Sequence, residues 1–104
     1  MYWVQLFDQE GNVLETLSRE GNERLLVPQS RWDVALSELS PNEICVFGPE
    51  DMAQLIVELD ELSFTLSGAD LAHVEAIMAL ARRCESLPGS RLSFRPAPAK
   101  TRNA

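Results

Sequence analysis

The sequence predicts a small α/β (or α+β) protein in which an N-terminal β-hairpin precedes alternating helices and strands. Two runs of strand-forming residues flank a polar, glycine-containing turn near the N-terminus. Beyond residue 28, segments with apolar residues at helical spacing alternate with short apolar runs typical of strands. A length of 104 residues suits one domain with one core. We therefore expect one mixed sheet packed by three helices.

The predicted strands follow from β-branched, aromatic and alternating apolar residues. They span residues 2–7, 13–17, 24–27, 43–47, 62–66 and 91–95. The first two form the hairpin, and Gly11 in the intervening turn tolerates the positive φ that such turns need. The contiguous apolar residues of 43–47 predict burial on both faces of that strand. The right-handed crossover rule lets the last three strands run parallel.

The three helices are predicted from apolar residues spaced three or four positions apart. They span residues 31–39, 49–62 and 67–84. Pro49 suits the first position of the second helix, and Ser67 is the predicted N-cap of the third. Residues 1–95 form the predicted globular domain. The proline-rich, basic segment 96–104 is predicted to be a disordered tail.

Acidic residues are concentrated in the middle of the chain. Residues 32–81 contain ten carboxylates and neither lysine nor arginine, and the net charge is −7. This balance argues against binding to nucleic acid, which usually requires a basic protein face, and favours a basic protein as the partner. The helix over 49–62 carries much of this charge on its outer side. A solvated acidic face with no binding role is the alternative interpretation.

The predicted partner-binding residues combine acidic groups on or beside the second helix with two tryptophans as apolar anchors. They are Glu50, Asp51, Glu58, Asp60, Glu61, Trp3 and Trp32. Acidic groups would accelerate association with a basic partner, and a tryptophan would supply apolar contact area. Trp3, Phe7 and Trp32 have the alternative of burial in the core, where most large aromatic side chains lie.

Residue types that carry catalysis or bind cofactors form no recognisable pattern. His73, the only histidine, lies at the edge of the third helix, with Asp70 one turn before it. No glycine-flanked nucleophile, calcium-binding loop or phosphate-binding glycine motif accompanies it. We therefore expect neither an enzyme nor a protein that holds a metal or cofactor.

The cysteines and the hydropathy of the chain bear on its compartment. Cys45 and Cys84 stand among apolar residues, without cysteine or histidine at metal-ligand spacing, so two reduced, buried thiols are expected. The sequence has no long apolar run and no basic N-terminal region followed by an apolar one. These features predict a soluble, cytoplasmic protein without membrane contact.

Residues 55–68, Leu-Ile-Val-Glu-Leu-Asp-Glu-Leu-Ser-Phe-Thr-Leu-Ser-Gly, with the helix and strand that follow, resemble the STAS domain of anti-sigma-factor antagonists. In that family a strand precedes an Asp-Ser-Ser/Thr-Gly switch, and the serine or threonine before the glycine is phosphorylated. Ser67 is the matching position. The family's aspartate is missing, because Thr65 and Leu66 precede Ser67, and the likeness covers about forty residues. The resemblance implies a regulatory module, and the chain is not assigned to the family.

Small size, acidity and the lack of catalytic motifs are similar in character to bacterial immunity proteins and antitoxins, which neutralise a basic toxin by covering it. The predicted function is therefore electrostatic capture of a basic protein partner. The alternative is a regulatory or scaffold module without catalytic activity. Such a module could form a homodimer in which the hairpins of two copies pair.

Overall fold

The computed structural model describes residues 1–97 and confirms the predicted class, a sheet packed by helices with an N-terminal hairpin. Its strands are β1 (Tyr2–Phe7), β2 (Val13–Ser18), β3 (Cys45–Phe47) and β4 (Arg91–Pro96). Its helices are α1 (Asn22–Leu25), α2 (Met52–Ser63) and α3 (Gly68–Ser86), and 3₁₀ turns cover Leu36–Glu38 and Pro49–Asp51. Most of the predicted tail, residues 98–104, lies outside the described residues.

The four strands form one sheet in the order β2-β1-β4-β3. β1 and β2 are the predicted hairpin, closed by a turn in which the Asp8 amide donates to the Asn12 carbonyl at 3.0 Å. Every strand pair is antiparallel, so the expectation of parallel strands is wrong. Two helices, rather than one crossover helix, lie between β3 and β4, and the chain returns beside β3 in the opposite direction.

One face of the sheet is covered by the helices. Its buried side chains are Tyr2, Val4, Leu6, Phe47, Leu92 and Phe94. The Phe94 ring meets the rings of Tyr2 and Phe47 edge-on, with centroids 6.4 and 5.7 Å away. The helices bury apolar stripes that comprise Met52, Leu55, Leu59 and Leu62 from α2 and Val74, Ile77, Ala81 and Cys84 from α3. In residues 1–97 the opposite face stays accessible, and we call it the open face.

Two predicted strands are absent. Residues 62–66 instead finish α2 and turn into α3, with Leu62 completing the buried helical stripe and Phe64 left 82% exposed. The alternation of apolar and polar residues there belongs to a helix end and a turn. The strand that a STAS-like arrangement needs before Ser67 is thus not formed. Residues 24–27 contain the end of the single-turn helix α1 and the residues that follow it.

The prediction that residues 43–47 are buried on both faces is also wrong. β3 has only three residues and lies at the edge of the sheet, paired with β4 alone. Ile44 and Val46 point to the open face and are 59% and 53% exposed, whereas Phe47 is buried under the helices. An uncovered face explains why a contiguous apolar run is only half buried here.

Helix α3 begins where the sequence predicts, whereas the predicted second helix starts at Pro49 as a 3₁₀ turn and becomes α2 at Met52. The Asp51 carboxylate accepts a hydrogen bond from the Gly48 amide at 2.9 Å, which fixes the turn Pro49–Asp51 that leads into α2. Ser67 occupies the N-cap position of α3, although its side chain makes no capping hydrogen bond. The last strand extends slightly further than predicted, because Pro96 pairs with β1 at the end of β4.

The two thiols are free, with Cys84 buried and Cys45 partly buried. Desolvation is the main cause that raises the pKa of each thiol, so both are protonated at neutral pH and react slowly. None of the helices in residues 1–97 has the length and apolar character needed to cross a membrane.

Candidate functional site

The loop of residues 29–39 is held against α2 by the Glu58 carboxylate. The amide N–H groups of Val34, Ala35 and Leu36 donate to it at 2.8, 2.9 and 2.7 Å. The Gln54 side chain, one turn earlier on α2, donates to the same carboxylate at 2.5 Å. These four donors supply the hydrogen bonds that a buried carboxylate requires. The loop backbone is therefore fixed in place.

A second carboxylate, Asp33, orders the start of the loop. It accepts hydrogen bonds from the amide N–H groups of Gln29 and Ser30 at 2.6 and 3.2 Å. In a helix, the amide N–H groups of this segment would donate to backbone carbonyls. Here several of them donate to the carboxylates of Asp33 and Glu58 instead. The prediction of a helix over 31–39 is consequently wrong, and only the 3₁₀ turn Leu36–Glu38 forms.

The prediction that Glu58 is an exposed partner-binding residue is wrong, because its side chain is fully buried. Glu58 lies three residues after Leu55 and four residues before Leu62, both of which face the core. This spacing places position 58 on the apolar side of α2. The same spacing was the signal in the sequence that could have identified a buried carboxylate.

The fixed loop and the outer side of α2 present an exposed apolar group. Trp32 and Val34 on the loop are 74% and 54% exposed, and Val57 on α2 and Phe64 just after it are 62% and 82% exposed. The alternative of a core position for Trp32 is therefore wrong. The Arg31 guanidinium carbon lies 5.1 Å from the Trp32 ring centroid, within the range of a cation–π interaction.

Two exposed carboxylates on α2, Asp60 and Glu61, lie within one helical turn of these apolar α2 residues. Partial desolvation raises the pKa of Glu61, and the charge of Asp33, a hydrogen bond to Asp33 and the charge of Glu58 raise it further. Negative charge is therefore crowded beside the loop. The group formed by loop and helix, called the α2–loop surface, consists of Trp32, Val34, Val57, Asp60, Glu61 and Phe64.

The other predicted contact residues lie elsewhere. Glu50 and Asp51 precede α2, roughly 15 Å along the helix axis from the carboxylates of the α2–loop surface. Trp3 is partly exposed on the open face, as part of β1. The predicted contact residues that the structure brings together are Trp32 and Glu61, because Asp33, next to Trp32 in the chain, lies beside Glu61. Asp60 lines a pocket with Glu75 and Arg82 of α3.

His73 joins α3 to the start of β1 through Asn22. The Asn22 side-chain oxygen accepts a hydrogen bond from the Tyr2 amide at 2.6 Å, and its nitrogen donates to the Tyr2 carbonyl at 3.0 Å. The same Asn22 nitrogen lies 3.2 Å from His73 Nε2. When the imidazole is neutral, Nε2 can accept a hydrogen bond from the second N–H of the Asn22 amide. Desolvation, then the charge of Arg19, lowers the pKa of His73, and Asp70 opposes them. These contacts give His73 a structural role.

Asp70 pairs with Arg19 instead of orienting the His73 ring. Its carboxylate accepts hydrogen bonds from the Arg19 guanidinium at 3.1 and 2.8 Å. Among residues 1–97, no group of three or more histidine, cysteine, aspartate or glutamate side chains is placed to hold a metal ion.

Known proteins offer no guide to this site. No protein-family model matches the chain, and no curated protein or solved structure is detectably similar to it. Its function is therefore inferred from the geometry of the described residues.

Proposed function

We propose that the protein binds another protein through the α2–loop surface and that the partner contributes basic residues. The exposure of Trp32 is the observation that carries the proposal, because this side chain is 74% exposed on a backbone held by a buried carboxylate. Large aromatic side chains usually lie in the core, where their apolar area leaves water. Contact with a partner would remove Trp32 from water in the same way.

The rigidity of the loop supports this proposal. Three consecutive amides of residues 34–36 donate to Glu58, so the backbone around Trp32 needs little further ordering when a partner binds. Tryptophan is enriched among the few residues that dominate binding energies, especially where weaker contacts surround it. Val34, Val57 and Phe64 are the exposed neighbours that would exclude water around such a centre.

The charge of the surface indicates the chemistry of the partner. Glu61 is exposed beside Asp33 and near Glu58, and no lysine or arginine lies in residues 32–81. Asp60 is also exposed, on the side of α2 where it lines a pocket with Glu75 and Arg82. A cationic group from a partner would relieve this repulsion and would be attracted from a distance. An immunity protein or antitoxin that covers a basic toxin would have these properties. A regulatory or scaffold module remains the alternative form of the same binding activity.

Substitutions on the α2–loop surface test the proposal. The partner is first captured on the wild-type chain from an extract of its native cells and then purified. Trp32→Ala is expected to weaken its binding about 30-fold, the loss of a central anchor worth about 2 kcal/mol. The pair Asp60→Lys and Glu61→Lys should slow association and flatten its dependence on salt.

A matched control is the pair Glu10→Lys and Glu85→Lys, which changes the net charge equally at exposed positions elsewhere. This pair should leave binding nearly unchanged. A captured protein that binds the Trp32→Ala variant and the Asp60→Lys, Glu61→Lys variant as tightly as the wild type would rule out the α2–loop surface as its site.

A further inference from the structure

A groove of about 450 Å³ lies on the open face, on the far side of the sheet from the helices. Its floor and walls come from three adjacent strands and the turns at one end of the sheet. β4 supplies Arg91, Ser93 and Arg95, and the apolar walls are Phe7, Ile44 and Val46. None of these residues belongs to the α2–loop surface, so the groove is a separate candidate site.

Strand pairing places a small residue at the centre of the groove. Ser93 lies opposite Gln5 of β1 on one side and opposite Val46 of β3 on the other. Ser93 is only 4% exposed, and its short side chain forms the floor between the longer side chains of Arg91 and Arg95. The groove therefore runs along β4 with a positive group at each end.

The two arginines have no acidic partner in the described part of the chain. The ion pairs of residues 1–97 involve other groups and leave Arg91 and Arg95 without a carboxylate partner. Arg91 donates one hydrogen bond, to the Ser90 carbonyl at 2.8 Å. Asp8 also lines the groove, but its carboxylate accepts hydrogen bonds from the Glu10 amide at 2.9 Å and from the Asn12 amide at 2.8 Å. In a chain with net charge −7, this is a local concentration of positive charge.

Two buried polar atoms on the open face lack hydrogen-bond partners among residues 1–97. They are Oε1 of Gln5 and Nε of Arg95. Gln5 is 7% exposed, and its side-chain nitrogen already donates to Thr16 Oγ1 at 3.2 Å. One atom is an acceptor and the other is a donor. Arg95 lines the groove and Gln5 does not. A ligand with acceptor groups, such as a peptide, could therefore satisfy the Arg95 donor.

We propose that this groove binds an extended acidic peptide segment of another protein. Arg91 and Arg95 lie four residues apart on the same face of β4, which separates their backbone positions by about 13 Å. Two carboxylates four residues apart on an extended peptide have the same separation and also face one side. The residue midway between them would lie over Ser93, between the apolar walls.

Nucleic acid fits the groove less well. Binding to a phosphate backbone usually depends on several basic contacts, and the groove supplies two arginines in a protein with an excess of seven negative charges. Arginine forms paired hydrogen bonds with carboxylates, and a peptide also brings apolar side chains for Phe7, Ile44 and Val46. Charge and shape together therefore favour an acidic peptide.

Binding of designed peptides tests the proposal. The probe is a fluorescently labelled peptide of threonine and valine with two glutamates four positions apart. The comparison peptide has the same composition with the glutamates three positions apart, which directs them to opposite sides of an extended chain. The wild-type protein should bind the first peptide at least about tenfold more tightly. Backbone amide shifts of β4 in NMR spectra should report the contact.

Variants of the protein complete the test. Binding of the first peptide should weaken at least about tenfold in the pair Arg91→Gln and Arg95→Gln. It should change little in the control pair Arg24→Gln and Arg82→Gln, which removes the same charge at exposed positions elsewhere. Circular dichroism verifies folding, and Arg91→Gln alone, at an exposed side chain, replaces the pair if the pair does not fold.

Several outcomes would overturn the inference. Equal affinity of the wild type for the two peptides would do so. So would a double variant, Arg91→Gln with Arg95→Gln, that binds the first peptide as tightly as the wild type, or a wild type that does not bind it at millimolar concentration. A single-stranded oligonucleotide that binds the groove more tightly than the peptide would assign it to nucleic acid. Self-association that the arginine substitutions abolish, observed by sedimentation, would assign it to a second copy of this chain.

Discussion

Glu58 determines the shape of a loop whose bound amides, those of residues 34–36, precede it by 22 to 24 positions in the sequence. A buried carboxylate without a counter-ion is unfavourable unless hydrogen-bond donors replace its hydration. Here the donors are three amides of the loop and the side chain of Gln54. The charge of Glu58 and the irregular backbone of the loop thus stabilise each other, and neither is favourable alone.

Substitution of Glu58 should therefore destabilise the protein strongly. Glu58→Gln keeps the shape but turns an amide donor toward backbone donors, and we expect a loss of about 2 kcal/mol or more in the free energy of unfolding. Glu58→Ala should cost at least as much. Urea unfolding measures the change, and exchange of the amide protons of residues 34–36 should accelerate. The exposed Glu50→Gln is the control, and a Glu58→Gln loss below about 0.5 kcal/mol would contradict the role given to Glu58.

His73 makes stability depend on pH. The folded protein lowers the pKa of His73 below its ordinary value of 6.5, chiefly through desolvation, so the unfolded chain binds a proton more readily. Neutral His73 contributes fully to the free energy of unfolding at pH values above 6.5. This contribution is lost progressively as the pH falls below 6.5. The reason is that a protonated Nε2 can no longer accept the hydrogen bond from Asn22.

Unfolding experiments between about pH 7.5 and about pH 5 should show this loss of stability. His73→Gln keeps a hydrogen-bond acceptor that does not titrate, so its stability should decline less over the same range. Because His73 is the only histidine, the difference between the two curves belongs to this side chain. Parallel curves for the variant and the wild type would show that His73 does not titrate differently on folding.

At the scale of elements, the sequence identified those whose hydrogen bonds are local. The hairpin, α2 and α3 follow from apolar periodicity and from turn or cap residues, which act within a few positions. β4 was identified from its alternating apolar residues alone, because its partners β1 and β3 are distant in the sequence. The loop over 29–39 could not be predicted in this way, because its amides are bound by a side chain on α2. Helical spacing of apolar residues was present, but tertiary hydrogen bonds displaced the helical ones.

In the candidate sites, too, the sequence predicted only those features that depend on a single element. Periodicity placed Asp60 and Glu61 on the outer side of α2 correctly, because only the phase of one helix matters there. Glu58 was misplaced because glutamate is rarely buried, although its spacing from Leu55 and Leu62 matches the buried stripe. The groove on the open face was missed because it depends on pairing among β1, β3 and β4. Local sequence patterns do not reveal the order in which these strands lie in the sheet.

At the scale of the whole molecule, the centre of the sheet joins the first and last strands of the described chain. Tyr2 pairs with Pro96 and Phe7 pairs with Arg91, so β1 and β4 run side by side along their full lengths. Beyond them the Ala97 amide donates to the Met1 carbonyl at 2.8 Å. The most central strand pair is therefore the least local, and such pairs slow folding.

A circular permutant should fold faster than the original chain. An Asn-Gly linker would join Ala97 to Met1 and make β1 and β4 a local hairpin, with new ends between the exposed residues Pro41 and Asn42. We expect the same circular dichroism spectrum and a higher refolding rate in stopped-flow experiments. The control is the unpermuted chain ending at Ala97. Unchanged or slower refolding of a folded permutant would show that β1–β4 pairing is not limiting.

The dependence of the loop on Glu58 also orders events during synthesis. Residues 29–39 leave the ribosome before residue 58 does, so the amides of residues 34–36 have only water as a partner at that stage. The surface around Trp32 cannot be assembled until α2 has emerged and formed. A nascent chain thus offers no finished contact surface. A partner of the proposed kind would distinguish completed molecules from incomplete ones without a separate checkpoint.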